Sequence, residues 1–236
     1  MLRILFDEPP RKSEGKLLKT MEIMERFASM LHGSISKGQD REHKMKKYEI
    51  WTLGLIVSLD ELEQSQYAAR KLADKVTSPS MESMSAEELL NYHRHVYFDK
   101  NAFIRLFALL DKLGTLMNEL FDLHTERFKV HFSYFTVLRG MRQRNLHTRL
   151  GSGLEQLKEQ YKEPMGRLRK RRNTEIHYMN SELQDDLQQS YSAYGELHRL
   201  ENLKERCADL AQGMELIYGT LLLTFDYACN HMRKQI

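Results

Sequence analysis

The sequence has few residues that interrupt helices and lacks the long apolar runs that cross membranes. Its 236 residues include 4 prolines and 12 glycines, so long helices are permitted and a turn-rich sandwich or barrel is disfavoured. The apolar run Leu53–Val57 is far shorter than the roughly 20 residues of a membrane helix. The segment Leu2–Phe6 is too short for a secretory signal. We therefore expect no membrane segment.

Cysteine is also scarce, since the chain has only Cys207 and Cys229. On one helix these two residues would lie about 33 Å apart at the usual rise per residue, so they could not form a disulfide with each other. Free thiols are typical of reducing compartments. The sequence therefore predicts a cytoplasmic protein.

Apolar residues recur at helical spacing in several segments, and no segment alternates as a strand does. Ser85 and Glu88 have the spacing of a capping box, and residues 151–153 are predicted to form a flexible turn. We expect an all-α, antiparallel helical bundle of about five to seven helices. Residues 1–42 would form an N-terminal arm and first helix, and residues 43–236 the bundle. The predicted helices are 16–31, 43–76, 85–120, 127–144, 154–162, 165–190 and 203–233.

Positive charge is concentrated in one part of a chain whose formal charge is only +3. Between Arg139 and Arg172 there are eleven Lys or Arg residues and three acidic residues. This surplus suits a polyanion or an acidic partner. The alternative is a solvated basic surface.

The predicted helix 165–190 carries a line of apolar residues that one arginine interrupts. Arg172 would place a permanent charge in this line, and a buried guanidinium requires a partner. That partner could be Glu205 or Asp209, or a bound phosphate. The line consists of Met165, Leu168, Arg172, Ile176, Met179, Leu183 and Leu187.

A second line on the same helix is polar. Its residues fall three or four apart and therefore share a face, and they combine a guanidinium, amides and an imidazole that titrates near neutrality. Arg172 and His177 lie about 140° apart around a helix, so the long arginine side chain or a second copy of the helix would have to close the gap. The polar line consists of Arg169, Asn173, His177, Asn180 and Gln184.

The segment Arg172-Asn173-Thr174-Glu175-Ile176-His177 resembles the signature of the HEPN family, in which an arginine and a polar residue precede a histidine. The longer stretch from Tyr48 to Leu187 is similar to a bacterial HEPN subgroup typified by a clostridial protein. A second segment, Arg142 to His147, has the same spacing. We rank it lower because it lies at a helix end and Gln143 follows its arginine.

The resemblance implies a two-fold homodimer that cuts RNA without a metal or cofactor. His177 would act as general base or general acid, Arg172 would stabilise the phosphate, and Asn173 would orient either group. Three basic residues would supply salt-sensitive affinity for the RNA backbone, and two further residues would contact substrate. These five substrate-binding candidates are Arg169, Lys170, Arg171, Tyr178 and Asn180.

Two other functions stay open from the sequence. One is a non-catalytic module that binds RNA or a nucleotide, or that pairs with an antitoxin-like protein. The other is a structural helical adaptor in which Arg172 is paired internally. Some toxin-type family members carry a modifiable tyrosine two residues after the histidine; here Met179 occupies that place, so this regulation is not transferred.

Overall fold

A computed structural model describes residues 2–183, 200 and 202–233. Within these residues there are seven complete α-helices, a further helical segment at residues 181–183, three short 3-10 segments and no strand, which confirms the all-α prediction. The 3-10 segments are Leu2–Phe6, Met81–Ser83 and Thr125–Arg127. The helices are α1 Gly15–Ser36, α2 Lys44–Ala73, α3 Ala86–Leu120, α4 Tyr134–Gln143, α5 Thr148–Gln160, α6 Lys162–His177 and α7 Leu203–Met232.

The long helices α2, α3 and α7 begin and end close to the predicted positions, but the region between α3 and α6 differs. The predicted helix 127–144 begins only at Tyr134. The predicted turn at residues 151–153 is wrong, because these residues lie inside α5. Burial of Leu150 and Leu154 favours helix there, and tertiary packing outweighs the low helix propensity of glycine.

The Ser85–Glu88 capping box forms only in part. The backbone N–H of Glu88 donates to Ser85 Oγ at 3.2 Å, as predicted. The Glu88 carboxylate instead accepts the backbone N–H groups of Thr77 and Ser78 at 2.5 and 2.7 Å. This carboxylate therefore stabilises the loop before α3, and it does not cap the first turn of α3.

The chain divides into two compact units, and the candidate site lies in the first. This unit comprises Met1–Pro10, Glu61–Leu106 and Lys162–Met214. It contains α6 together with parts of α2, α3 and α7. Its buried residues include Leu62, Ala68, Ala69, Tyr92, Phe103, Leu106, Met165, Leu168 and Leu210.

The second unit comprises Arg11–Asp60, Phe107–Tyr161 and Glu215–Ile236. The rings of Phe27 and Phe225 meet edge to face in its interior, with centroids 5.5 Å apart. Its buried residues include Phe27, Leu31, Leu55, Leu59, Leu110, Leu113, Tyr134, Leu221 and Phe225. The predicted division at residue 42 stays a prediction.

Among the described residues, no helix combines the length and the apolar character needed to cross a bilayer.

Candidate functional site

The first half of helix α6 is packed against α7. Pro164 lies buried in the first turn, where proline is tolerated because the N–H it lacks would have no helical partner. Met165 and Leu168 are buried and lie against Gly213 of α7, where an added Cβ would come within 3.0 Å of Leu168 Cδ1 and 3.7 Å of Met165 Sδ. The glycine thus allows α6 and α7 to approach closely in this unit.

The second half of the predicted apolar line on this helix is not buried, so this part of the prediction is wrong. Ile176, Met179 and Leu183 are exposed, and Leu187 lies outside the described residues. Helix α6 ends at His177, so the spacing of three and four no longer places later residues on one helical face. Instead, Thr174 continues the buried face.

A neighbouring arginine, Arg171, makes the buried ion pair of α6. Its guanidinium pairs with Asp99 of α3; the two side chains are 13% and 3% exposed. The same guanidinium lies 4.8 Å from the centroid of the Phe103 ring, a cation–π arrangement. Arg172 is half-buried. The sequence predicts a paired arginine at Arg172, and Arg171, one residue earlier, forms a buried pair with Asp99.

The acidic residues suggested as partners of Arg172 have other roles. Asp209 accepts two hydrogen bonds from Arg167, at 2.8 Å from Nε and 2.6 Å from Nη2. This fork-to-fork geometry is the strong form of an arginine–carboxylate pair. Interaction with Asp209 raises the pKa of Arg167 further above its usual range. Glu205 accepts a side-chain hydrogen bond from Asn202 at 3.5 Å.

A second ionic anchor holds the end of α6. Lys100 Nζ of α3 lies 3.0 Å from Glu175 Oε1 and 2.8 Å from Glu182 Oε2. The other Glu175 oxygen accepts the backbone N–H of Ser181 at 2.9 Å. Glu175 therefore links α3 to the residues that follow α6. Since Asp99 and Lys100 are adjacent, one turn of α3 anchors α6 on both sides of Arg172.

Two hydrogen bonds to the Thr174 carbonyl terminate helix α6. Tyr178 N–H and Met179 N–H both donate to Thr174 O, at 3.0 and 3.1 Å. The second bond spans six residues, as in a Schellman-type helix end. His177 occupies the last helical position and is exposed, where the helix dipole favours a cation.

The α6 helix brings Arg169, Asn173 and His177 to one side, because each lies four residues after the last. Arg169 and His177 are exposed and Asn173 is half-buried. Asn180 was predicted to continue this line but lies beyond the end of α6. Gln184 falls outside the described residues.

The remaining predicted substrate-binding residues surround this face. Lys170 and Tyr178 are exposed, so both can reach a ligand from solvent. Arg171 pairs with Asp99 of α3. This pair helps to fix the position of α6. Nothing in the sequence could identify Asp99 and Lys100 as anchors, because they lie more than seventy residues from their partners.

The second arginine–histidine segment does not form a comparable surface. Helix α4 ends at Gln143, and His147 has a positive φ of 46° at the start of α5. Its Nε2 lies 3.1 Å from Phe121 O and its Nδ1 lies 2.8 Å from Tyr227 Oη. A carbonyl only accepts, so Nε2 donates to Phe121 and, in a neutral ring, Nδ1 accepts from the tyrosine. His147 therefore has a structural role in the second unit.

Across the part of the chain that the structure describes, no group of three or more His, Cys, Asp or Glu is placed to hold a metal. Both cysteines are free and lie on α7. Burial raises the pKa of Cys207 to about 11 and raises the pKa of Cys229. Neither thiol is therefore a ready nucleophile near neutral pH.

Comparison with known proteins adds one finding. The sequence profile of the Cthe2314-like HEPN family matches residues 51–229, a range that contains all of α6. Searches of curated proteins and of solved structures found no match.

Proposed function

The chain belongs to the Cthe2314-like HEPN family, and from this premise we propose that it is a metal-independent endoribonuclease. The observation that carries the proposal is the position of the arginine–asparagine–histidine motif in the last turns of α6. His177 is exposed there, one helical turn after Asn173. Among the described residues, His177 has no hydrogen-bond partner that would occupy its ring, in contrast to His147.

The reaction is transesterification at a phosphodiester. The ribose 2′-oxygen loses its proton to a His177 imidazole and attacks phosphorus, and the bond from phosphorus to the 5′-oxygen breaks. The leaving oxygen takes a proton from a second, protonated imidazole, which the other copy of His177 supplies in a two-fold dimer. The products are a 2′,3′-cyclic phosphate and a 5′-hydroxyl.

The charged and polar neighbours stabilise this reaction. Arg172 binds the non-bridging phosphate oxygens, whose negative charge increases in the transition state. Asn173 orients the imidazole or the phosphate. Both residues lie on α6 between the anchors at Arg171 and Glu175, so their backbone positions are fixed before RNA binds. Such preorganisation avoids the cost of ordering the site during the reaction.

RNA binding uses the exposed basic face. Arg169 and Lys170 are exposed and contact backbone phosphates, which gives affinity that falls as salt is added. The exposed Tyr178 ring stacks on an unpaired base, and Asn180 provides a further hydrogen-bonding group beside it. These assignments give single-stranded RNA as the substrate class.

One observation favours a second function, a module that an antitoxin-like protein binds. Three apolar side chains within six residues of His177 in the chain are exposed, namely Ile176, Met179 and Leu183. Exposed apolar clusters often mark protein-binding surfaces. A partner on this surface would cover the motif, and in that case the chain would bind RNA or the partner without turnover.

Analysis of the reaction products tests the ribonuclease proposal. RNA is incubated with the protein in EDTA, and the new ends are identified chemically. We expect 2′,3′-cyclic phosphate and 5′-hydroxyl ends, and no cleavage of a matched substrate that carries 2′-deoxyribose throughout. Cleavage of the deoxyribose substrate, or 3′-hydroxyl ends on the RNA products, would contradict the mechanism. Binding of RNA without any cleavage would favour the second function.

A further inference from the structure

The stretch of chain from residue 127 to residue 154 contains no acidic residue, although 33 of the 236 residues of the chain are acidic. It contains six basic residues, and all of it belongs to the second unit. A surface that only keeps a protein in solution normally mixes charges of both signs. A basic stretch without acids is instead suited to a polyanion. The six basic residues are Arg127, Lys129, Arg139, Arg142, Arg144 and Arg149.

A loop in this stretch exposes two apolar side chains to solvent. The loop joins the 3-10 segment Thr125–Arg127 to α4, and every residue from Glu126 to His131 is exposed. Phe128 and Val130 are 72% and 78% exposed, respectively. Apolar groups that are exposed together among polar residues often mark a binding surface.

Both ends of the loop are fixed to α3. At one end, the buried Thr125 donates its backbone N–H to Asn118 Oδ1 at 2.8 Å. At the other end, Tyr134 N–H donates to Asp111 Oδ1 at 3.0 Å. Gly114 of α3 allows this approach, because a Cβ added there would come within 2.8 Å of Tyr134 Cα. The exposure of the loop is therefore determined by the packing of its two ends.

The Phe128 ring lies against a guanidinium that is itself held in place. Arg144, which directly follows α4, donates from Nη2 to Leu123 O and from Nε to Gly140 O, the latter at 3.3 Å. Its guanidinium carbon lies 5.1 Å from the centroid of the Phe128 ring, a cation–π arrangement. The ring is thereby positioned as a flat platform. Because Phe128 is largely exposed, the ring still offers surface to a second π system.

Exposed basic side chains flank this platform. Among the described residues, the side chains of Arg127, Lys129 and Arg139 form no hydrogen bond or ion pair within the chain. Arg142, one turn after Arg139, is 65% exposed and lies 3.4 Å from Glu155. Helix α4 packs against both α5 and the 3-10 segment before the loop. The charges of the loop and of α4 therefore belong to the same part of the second unit.

Two kinds of ligand combine negative charge with groups that an exposed phenylalanine can contact, namely single-stranded nucleic acid and an anionic membrane. Insertion into a membrane would require the ring to leave the protein surface, whereas Arg144 engages the Phe128 ring there. A base, in contrast, stacks on a ring that stays in place. Proteins that bind single strands combine such stacking with contacts to phosphates. The geometry therefore favours nucleic acid.

We propose that Phe128 and the basic residues around it form a second contact surface for single-stranded RNA, located in the second unit. Phe128 stacks on an unpaired base. Arg127, Lys129 and Arg139 bind neighbouring phosphates. The inference rests on the proposed function for the identity of its ligand, and it deepens that function by adding a surface outside α6.

Binding of an uncleavable RNA tests the stacking contact. The probe is a short fluorescent oligouridine with 2′-O-methyl groups, which lacks the attacking hydroxyl, and its binding to the full chain is followed by fluorescence anisotropy. We expect Phe128→Ala to raise the dissociation constant about tenfold, because one base loses its stacking partner. Phe128→Tyr keeps an aromatic face and should stay within about twofold of the wild type.

Val130→Ala is the matched control for the stacking contact. Val130 lies in the same loop and is at least as exposed as Phe128, but it has no ring on which a base could stack. This variant should bind the probe as the wild type does. Circular dichroism of each variant establishes that it is folded.

A salt titration tests the phosphate contacts. The double variant Arg127→Gln with Lys129→Gln removes two of them, so the slope of log affinity against log salt concentration should become less negative by about 1.4. The control is Lys37→Gln with Arg41→Gln, which removes two exposed basic residues of the second unit outside this surface. The control should keep the wild-type slope, and an equal change of slope in both double variants would overturn the inference.

The other outcomes separate this inference from the alternatives. A wild-type chain that does not bind the probe would overturn it, as would binding that Phe128→Ala does not weaken. Attachment to phosphatidylserine vesicles that Val130→Ala abolishes, without an effect of Phe128→Ala on RNA binding, would assign the loop to a membrane. Cleavage of natural RNA together with unweakened binding by Phe128→Ala would overturn this inference alone. Binding through Phe128 without any cleavage would overturn the ribonuclease proposal alone.

Discussion

The Glu88 carboxylate connects the loop before α3 to the helix by several hydrogen bonds. It accepts from the backbone N–H groups of Thr77 and Ser78 and from the Ser78 hydroxyl, the last at 2.7 Å. These bonds favour the ionised form and lower the pKa of Glu88 from 4.5 to about 2. The contribution of this group to stability is therefore fully present above pH 4.5 and is lost as the pH falls through about 2.

This shift leads to a prediction for the loop. As the pH falls, the amide signals of Thr77 and Ser78 in NMR spectra should hold their folded positions through pH 4.5 and move only near pH 2. The Glu88→Gln variant should show altered positions already at neutral pH and no transition of this origin at low pH. A midpoint near 4.5 in the wild-type protein would show that the bonds do not stabilise the charged carboxylate.

Adjacent arginines show what sequence can and cannot specify at the scale of single residues. The pattern of α6 requires a paired arginine among apolar positions, and such an arginine exists. Arg171 and Arg172 differ by only about 100° around the helix axis, and the partner Asp99 lies 72 positions away in the chain. Only the packing of α6 against α3 brings Arg171 to Asp99, and a single sequence does not contain that information.

At the scale of the element, the position of α6 depends on ionic anchors as well as apolar packing. Asp99 and Lys100 of α3 hold α6 through Arg171 and Glu175. The Asp99 side chain is nearly inaccessible to solvent. Removal of one partner from such a pair leaves an uncompensated buried charge, which is much more costly than loss of an exposed pair.

We therefore expect Asp99→Ala to lower the free energy of unfolding by about 3–5 kcal/mol, measured by urea denaturation. The control is Arg142→Ala, which breaks an exposed pair with Glu155 at 3.4 Å and should cost at most about 1 kcal/mol. A double variant, Asp99→Leu with Arg171→Met, should recover most of the loss because it removes both charges together. Equal effects of Asp99→Ala and Arg142→Ala would contradict the anchoring role.

Helix identity was more predictable than helix length. The long helices α2, α3 and α7 follow from extended apolar periodicity with few helix breakers, and their ends lie close to the predicted positions. The prediction failed at residues 151–153, where Leu150 and Leu154 are buried in a continuous helix. It also failed at residue 177, where two backbone bonds to Thr174 O end α6. The continuous helix at residues 151–153 depends on tertiary packing, and the helix end at residue 177 depends on local capping. The apolar periodicity of the sequence contains neither.

At the scale of the whole molecule, the family match and the helical composition agree. The match over residues 51–229 includes the long helices and the motif of α6, so the resemblance drawn from the sequence to the HEPN family is confirmed. The dimer and the catalytic roles are proposals. They rest on the exposed histidine at the end of α6 and on its basic neighbours.

Parallel cleavage assays on two histidine variants test the central claim most directly. His177→Ala and His93→Ala are compared with the wild-type protein on the same RNA in the presence of EDTA. His93 is an exposed histidine of α3 outside the motif, so it controls for loss of a surface imidazole. We predict that His177→Ala lowers the cleavage rate about 100-fold or more, as expected for loss of a general acid or base, while His93→Ala cleaves at the wild-type rate. Undiminished cleavage by a folded His177→Ala variant would contradict the account.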